Sequence, residues 1–232
     1  MIRRIVTLSK IKAVLFDLDG TLINTLTDLA GSTNYAIVQG GYEAHPVEEY
    51  RYFVGNGARV MIKRALPEAA RSDDEVERLL PIFLEHYGVH SQDNTAPYDG
   101  IAELVKAVRA RGIKTAVVTN KPDVAAQKLI ADELPNLFDF VTGQHDGVPT
   151  KPAPDMPLAA MKALGVEPAE CVFMGDSNVD IQTGLNCGAH TVGVLWGFRD
   201  EKELRENGAK HIISRPEQLL NLLDELESEG GR

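Results

Sequence analysis

The segment Phe16-Asp17-Leu18-Asp19-Gly20-Thr21-Leu22 ends the apolar run Ala13 to Phe16 with two carboxylates placed two residues apart. Residues i and i+2 of an extended chain project to the same side, so Asp17 and Asp19 can reach one bound group or one metal ion. Gly20 lets the chain turn immediately after them. Three later clusters carry groups of matching chemistry: Thr119-Asn120-Lys121, Lys151, and Asp176 with Asp180. A carboxylate nucleophile, a second carboxylate that carries a proton, a hydroxyl and an ammonium are the parts that displacement at a phosphate ester requires. Three carboxylates beside such an ester would repel it, so a hard cation is needed, and a small set of oxygen ligands suits Mg2+. Asp17 and Asp176 are the expected ligands.

With charge drawn from the phosphoryl oxygens, an oxygen of Asp17 can attack phosphorus and give an aspartyl-phosphate. Asp19 then protonates the departing alkoxide and, once ionised, takes a proton from the water that attacks the intermediate. Thr119 offers its hydroxyl and neighbouring backbone N–H groups to the nonbridging oxygens, and Lys151 adds a full positive charge. Asp180 is expected on the first turn of the helix after Asp176, orienting Lys151 or a metal-bound water. Each piece has a plainer reading by itself. Asp-x-Asp-Gly is a common turn and a fragment of calcium loops. Gly175-Asp176-Ser177 is a strand-to-helix turn that Ser177 could cap, and Lys151-Pro152 a solvated loop. Their joint occurrence carries the chemical reading.

Positioning these groups falls to short β-rich runs: Ile11 to Leu18, Thr115 to Thr119, Phe138 to Thr142, Cys171 to Gly175, Thr191 to Leu195 and His211 to Ile213. They read as parallel strands buried on both faces. Ile101, Leu104, Val105 and Val108 before Gly112, and Leu158, Met161 and Leu164 before Gly165, follow helical spacing, with Asp123 and Asp155 as candidate N-caps. Such alternation predicts a doubly wound α/β fold, a mostly parallel sheet whose ligand site lies beyond the carboxyl ends of its strands. Between Asn24 and Pro97 the alternation stops and only helical signals remain. The expected organisation is a core of residues 1–23 plus 97–232 and an inserted all-helical cap of residues 24–96. Val76, Leu79, Leu80, Phe83 and Tyr87 would form cap core, and Val60, Met61, Arg64 and Ala65 a second helix after the Gly55-Asn56-Gly57 turn. The chain segments around Leu22 to Asn24 and Pro97 to Gly100 would be the two linkers of a hinge.

Together these residues resemble the haloacid dehalogenase superfamily of phosphotransferases. Its four motifs are matched in order by Asp17-Leu18-Asp19-Gly20-Thr21, Thr119-Asn120, Lys151-Pro152-Ala153-Pro154 and Gly175-Asp176-Ser177-Asn178-Val179-Asp180. The resemblance implies a Rossmann-like core and a Mg2+-dependent aspartyl-phosphate mechanism. The metal would be held by Asp17, the backbone carbonyl of Asp19, and Asp176, with Thr21, Ser177 and Asp180 in supporting positions. Asp19 separates the chain from the superfamily's dehalogenases, whose halide leaves without a proton. Val54-Gly55-Asn56-Gly57-Ala58, Val118-Thr119-Asn120-Lys121-Pro122 and Leu195-Trp196-Gly197-Phe198-Arg199 are similar to segments of phosphoglycolate phosphatases. That likeness implies hydrolysis of 2-phosphoglycolate to glycolate and phosphate. Gly55, Asn56 and Gly57 would bring main-chain amides to the carboxylate at the start of a helix near Ala58. Arg51, Arg59, Lys63 or Arg64 would supply a cation, while Asn120 joins Thr119 and Lys151 in binding substrate. The alternatives are a pyrophosphatase, a small sugar-phosphate phosphatase, a β-phosphoglucomutase-like isomerase and a noncatalytic phosphate-binding module.

The 232 residues, 44% hydrophobic and 25% charged, have the composition of an ordinary globular protein. A net charge of −10 argues against a nucleic-acid partner. It says little about a small anion, because a local cation reverses the field inside a cleft. Cys171 and Cys187 read as buried reduced thiols. Met1 to Lys10 lacks the apolar core of a targeting segment, and no stretch approaches a membrane span, so a cytoplasmic monomer or homodimer without a membrane partner is expected. His86 and His90 lack a following acid-rich shell, and Gly55-Asn56-Gly57 follows no strand, so zinc and dinucleotide chemistry are not expected. Trp196 is expected as a packed loop anchor.

Overall fold

Residues 10–229 are described by the computed structural model, and the expectation for residues 1–9 lies outside them. Along the chain come β1 (Ala13–Phe16) and β2 (Ile23–Asn24), then α1 (Leu26–Gln39), α2 (Tyr50–Phe53), α3 (Ala58–Ala65) and α4 (Asp73–His90), then β3 (Ala96–Pro97). From there helix and strand alternate: α5 (Ile101–Ala110), β4 (Lys114–Pro122), α6 (Asp123–Glu133), β5 (Phe140–Gln144), α7 (Asp155–Leu164) and β6 (Cys171–Gly175). The chain continues through α8 (Asn178–Cys187), β7 (His190–Val194), α9 (Glu201–Glu206), β8 (His211–Ile213) and α10 (Gln218–Glu229).

Six strands form one parallel sheet in the order β5-β4-β1-β6-β7-β8, with Ala13 opposite both Lys114 and Cys171. All four residues of β1 are shut off from water, so its side chains pass alternately into two apolar layers. Val14 and Phe16 pack with Leu104, Leu129 and Leu222 of α5, α6 and α10. Ala13 and Leu15 pack with Met156 and Met161 of α7 and Cys187 of α8. Helices therefore cover both faces, the doubly wound arrangement. Strand order reverses at β1, and such a reversal leaves a crevice beyond the strand's carboxyl end. Asp17 is the next residue.

Some limits differ from expectation. β4 runs past Thr119 to Pro122, its pairing to β5 shifting register between Val118 and Pro122, so Asn120 and Lys121 belong to the strand end. Asp123 and Asp155 are the first residues of α6 and α7 and not their caps, the preceding positions being Pro122 and Pro154. Asp123 Oδ1 instead accepts from the Gly143 amide at 2.7 Å and ties α6 to β5. Both cysteines are buried and free.

Helices α1 to α4 enclose an apolar layer of their own. Val76, Leu79, Leu80, Phe83 and Tyr87 are buried along α4 and pack with Leu29, Ile37, Tyr50 and Ile62. Ser72 caps α4 by accepting from the Glu75 amide. The insert leaves and returns through β2 and β3, which pair antiparallel, Ile23 opposite Pro97 and Asn24 opposite Ala96. Asp28, near the start of α1, accepts from the backbone and side chain of Asn94 and from Thr95 Oγ1 at 2.8–3.1 Å, fastening the helix start to the returning chain. Burial pushes its carboxyl up, and these bonds outweigh that and hold it below its ordinary value. Among the described residues no helix is long and apolar enough to cross a membrane.

Candidate active site

Asp17 follows β1 directly, and its amide donates to Met174 O of β6 at 2.9 Å, so the sheet itself places it. Lys151 reaches it from the loop before α7. Its Nζ donates to Asp17 Oδ1 at 2.6 Å and to Asp180 Oδ1 at 2.7 Å, and all three residues are buried. The other oxygen of Asp180 accepts from the amide and hydroxyl of Ser177 at 3.0 and 2.6 Å, part of the capping box that starts α8. Asp176 follows β6, the strand beside β1. Its Oδ1 accepts from Thr21 Oγ1 at 3.3 Å and its Oδ2 from the Phe198 amide at 2.6 Å. One oxygen each of Asp17, Asp176 and Asp180 lie within 4.8 Å of one another. Gly20, at φ +90°, is required here, because a Cβ on it would lie 2.5 Å from Asp176 Oδ2.

One ammonium bonds two of these three buried carboxylates, Asp17 and Asp180, which leaves negative charge in excess. Burial first, then Asp180, push the Asp17 carboxyl up to about 7 against the pull of Lys151. Burial, with Asp180 and Asp17, holds Asp176 well above the ordinary carboxylate range. For Lys151 burial acts downward, but Asp17 and Asp180 outweigh it and keep the ammonium above its ordinary value. A hard-oxygen cluster that cannot carry its own charge fits a divalent cation.

Asp19 has different partners. Its Oδ1 accepts from Thr25 Oγ1 at 2.8 Å and from Lys121 Nζ at 3.0 Å, and the same Nζ donates to the Tyr87 hydroxyl at 2.8 Å. Burial would lower the Lys121 ammonium, yet Asp19 and Tyr87 together raise it. Tyr87 carries no functional signal in the sequence, since it sits in the apolar stripe of α4 like any core residue, and Lys121 stands out there only as a member of the Thr119-Asn120-Lys121 cluster, with no role of its own. Thr119 Oγ1 accepts from the Lys121 amide at 3.2 Å, which leaves its own proton free to donate.

A cavity of about 330 Å³ opens from these groups, lined by Asp17, Asp19, Thr119, Asn120, Gly55 and Gly57 together with residues of α4 and α6. Lys151, Asp176, Thr21, Ser177 and Asp180 stand behind Asp17 and not on that lining. Asn120 reaches the lining, but its side chain is committed: Oδ1 accepts from the Lys151 amide at 2.8 Å, and Nδ2 donates to Gly55 O at 3.0 Å and Lys151 O at 3.1 Å. It positions two loops and has no side-chain N–H left to donate to a phosphoryl oxygen.

Asn56 is turned to Arg64, whose Nη2 donates to its Oδ1 at 2.9 Å. The four expected cations are also committed. Arg51 donates to Gly197 O at 2.6 Å, Arg59 to Glu77 at 2.6 Å, Lys63 to Asp73 at 2.8 Å and Arg64 to Phe53 O at 3.0 Å. Carboxylates on neighbouring helices and carbonyls at loops and a helix end satisfy them, and they are not on the cavity lining. The loop after β7 gains a role from the structure. Trp196 Nε1 donates to Thr21 O at 3.0 Å, the packed anchor expected, and Arg199 Nη2 donates to Val54 O at 3.1 Å. With the Phe198 bond to Asp176, this loop joins two motifs to the insert.

The family model for haloacid dehalogenase-like hydrolases matches residues 14–194. The chain is 36% identical over 228 residues to the N-acetylmuramic acid 6-phosphate phosphatase of Pseudomonas aeruginosa, covering 93% of this chain and 96% of that protein. It is 30% identical over 214 residues to the phosphoglycolate phosphatase of Aquifex aeolicus, covering 92% and 97%. A solved structure of a provisionally assigned phosphoglycolate phosphatase from Lactobacillus delbrueckii subsp. bulgaricus superposes with a TM-score of 0.89 at 38% identity, covering 93% of this chain and 99% of that one. A likeness that spans nearly the whole chain, with all four motifs meeting at the carboxyl end of one sheet, places the protein in the haloacid dehalogenase-like hydrolase family, among relatives of the phosphoglycolate phosphatase type.

Proposed function

We propose that this chain is a Mg2+-dependent phosphatase that hydrolyses a small phosphate monoester through an aspartyl-phosphate on Asp17. The observation that carries the reading is the bonding of Lys151 to both Asp17 and Asp180, with Asp176 in the same acidic cluster and Asp19 on the same cavity. Asp17, the backbone carbonyl of Asp19, and Asp176 would hold Mg2+, with Thr21, Ser177 and Asp180 supporting them. When bound there, the ion would supply Lewis-acid withdrawal of charge from the phosphoryl oxygens.

An oxygen of Asp17 attacks phosphorus, the bond from phosphorus to the leaving alcohol's oxygen breaks, and Asp19 gives that oxygen its proton. Asp19, now ionised, takes a proton from the attacking water; phosphate departs and Asp17 is restored. Thr25 and Lys121 both occupy Asp19 Oδ1, which leaves Oδ2 as the atom that carries the proton. Thr119 donates its hydroxyl to a nonbridging oxygen, and Lys151 balances the charge gathered at Asp17.

The names of several relatives support 2-phosphoglycolate as substrate, giving glycolate and phosphate. The relative named for N-acetylmuramic acid 6-phosphate supports a sugar phosphate as the second reading; pyrophosphate hydrolysis and phosphoglucomutase-like isomerisation rank below both. Residues 24–96 act as a cap domain over a core of 1–23 plus 97–232, a cytoplasmic monomer or homodimer whose net charge of −10 disfavours nucleic acid. Phosphate release by the purified chain with Mg2+ from 2-phosphoglycolate, pyrophosphate and hexose phosphates tests the reading. Release should depend on Mg2+ and vanish in Asp17→Asn; glucose-phosphate isomerisation as the preferred reaction would overturn it.

A further inference from the structure

The cavity that opens from Asp17 and Asp19 is larger and more apolar than a two-carbon carboxylate needs. Its volume of about 330 Å³ falls in the range, about 300–1,000 Å³, of pockets that enclose drug-sized molecules. Two helix faces wall it, one from the insert and one from the sheet domain. On α4 the lining residues Phe83, Leu84, Tyr87 and Gly88 follow the spacing i, i+1, i+4, i+5, and on α6 Val124, Ala125, Lys128 and Leu129 repeat it. Leu84 is 47% exposed and Val124 84% exposed, apolar side chains that an apolar ligand would take out of water.

One turn after Leu84, Gly88 leaves a gap. A Cβ built there meets no atom within 4 Å, so packing does not demand the glycine. Inside a helix glycine costs about 1 kcal/mol relative to alanine, which makes open space its evident return. The charges agree. A carboxylate-bearing substrate wants an uncommitted cation, yet both lysines on the lining are paired, Lys121 with Asp19 at 3.0 Å and Lys128 with Asp132 at 2.6 Å.

The geometry points to a phosphate monoester whose leaving alcohol is of hexose size or larger and turns an apolar substituent to Leu84 and Val124 across the gap at Gly88. This rests on the phosphatase reading and chooses among its candidate substrates. Phosphorus lies at Asp17, the alcohol oxygen at Asp19, and the remainder of the alcohol extends between α4 and α6; the bonds broken and the proton given are those already described.

The test measures kcat/KM with Mg2+ for N-acetylglucosamine 6-phosphate, glucose 6-phosphate, glycerol 3-phosphate and 2-phosphoglycolate. Wild type is compared with Gly88→Phe and Val124→Asp. One apolar group in a fitted pocket discriminates by about 10–200-fold, so the N-acyl sugar phosphate should lead the other three by tenfold or more. Each variant should cut that lead at least tenfold. Replacing a helical glycine favours the helix, Val124 is exposed, and thermal unfolding checks that both variants fold. A preference for 2-phosphoglycolate, a lead below tenfold, or a lead that neither variant alters overturns the inference and leaves the phosphatase reading standing. Absence of Mg2+-dependent phosphate release from every ester overturns the phosphatase reading itself and the inference with it.

Discussion

Mg2+ affinity should fall steeply between pH 7 and pH 5, because ion and proton compete for the same carboxylate. In the metal-free protein, burial and then Asp180 push the Asp17 carboxyl from 3.8 to about 7. A ligand must be deprotonated to bind metal, so each pH unit below that value weakens binding close to tenfold. The penalty is about 2-fold at pH 7 and about 100-fold at pH 5, a ratio of roughly 50 or about 2 kcal/mol. Asp176, raised in the same direction, steepens the dependence. Metal-free stability runs the opposite way. Below the unfolded value both states hold the proton; between 3.8 and about 7 the native state keeps a proton that the unfolded chain has released, so stability declines as pH rises, by about 4 kcal/mol over the window. Isothermal titration with Mg2+ at pH 5, 6 and 7, in buffers of different ionisation enthalpy, reads affinity and proton release together. Asp17→Asn should bind the ion more weakly and with a flatter pH dependence. An affinity unchanged from pH 5 to pH 7 would refute the placement of the ion at Asp17.

Lys151→Met should cost about 3–5 kcal/mol in urea unfolding at neutral pH, because it leaves Asp17 and Asp180 buried without their shared counter-charge; a loss below about 1 kcal/mol would contradict that account. Lys121→Met removes one of two donors on Asp19 Oδ1. Turnover of alkyl phosphates should fall by about 100-fold, the low end of general-acid effects, and that of 4-nitrophenyl phosphate, whose leaving group needs no proton, much less. Equal losses on both would assign Lys121 a purely structural part. Gly20→Ala forces a Cβ against Asp176 at a positive φ, and should lower both thermal stability and Mg2+ affinity; unchanged Mg2+ affinity would show that the turn does not set the position of Asp176.

Much of the sheet is legible because strands covered on both faces are written as continuous apolar runs: β6 and β8 coincide with Cys171 to Gly175 and His211 to Ile213 residue for residue. The paired β2 and β3 escape such reading, since two residues apiece carry no period. At the site, Asp17, Asp19, Thr119, Lys151, Asp176 and Asp180 announce themselves by type and by their grouping in or after the strands, although Lys151 belongs to the loop before α7 and Asp180 to the first turn of α8. Tyr87 does not, and the pairing of Lys121 with Asp19 is not written there either, because the Tyr87 hydroxyl meets Lys121 only when α4 lies over the end of β4. Arg51, Arg59, Lys63 and Arg64 mislead in the opposite sense: a sequence displays charges without their partners, and here the partners are carboxylates and carbonyls, within the insert for Arg59, Lys63 and Arg64 and on the distant loop after β7 for Arg51.

Local order alone determines the strand and helix types, the helical insert and the chemical character of the strand ends, because those depend on neighbours a few positions away. Which groups meet is decided by the fold. Lys151 and Asp17 are 134 positions apart and Thr21 and Asp176 are 155 apart, and only the strand order that sets β1 between β4 and β6 brings them within bonding distance. The shape of the cavity, its gap at Gly88 and the raised carboxyl of Asp17 likewise arise from burial and packing, quantities that exist only once distant segments have come together.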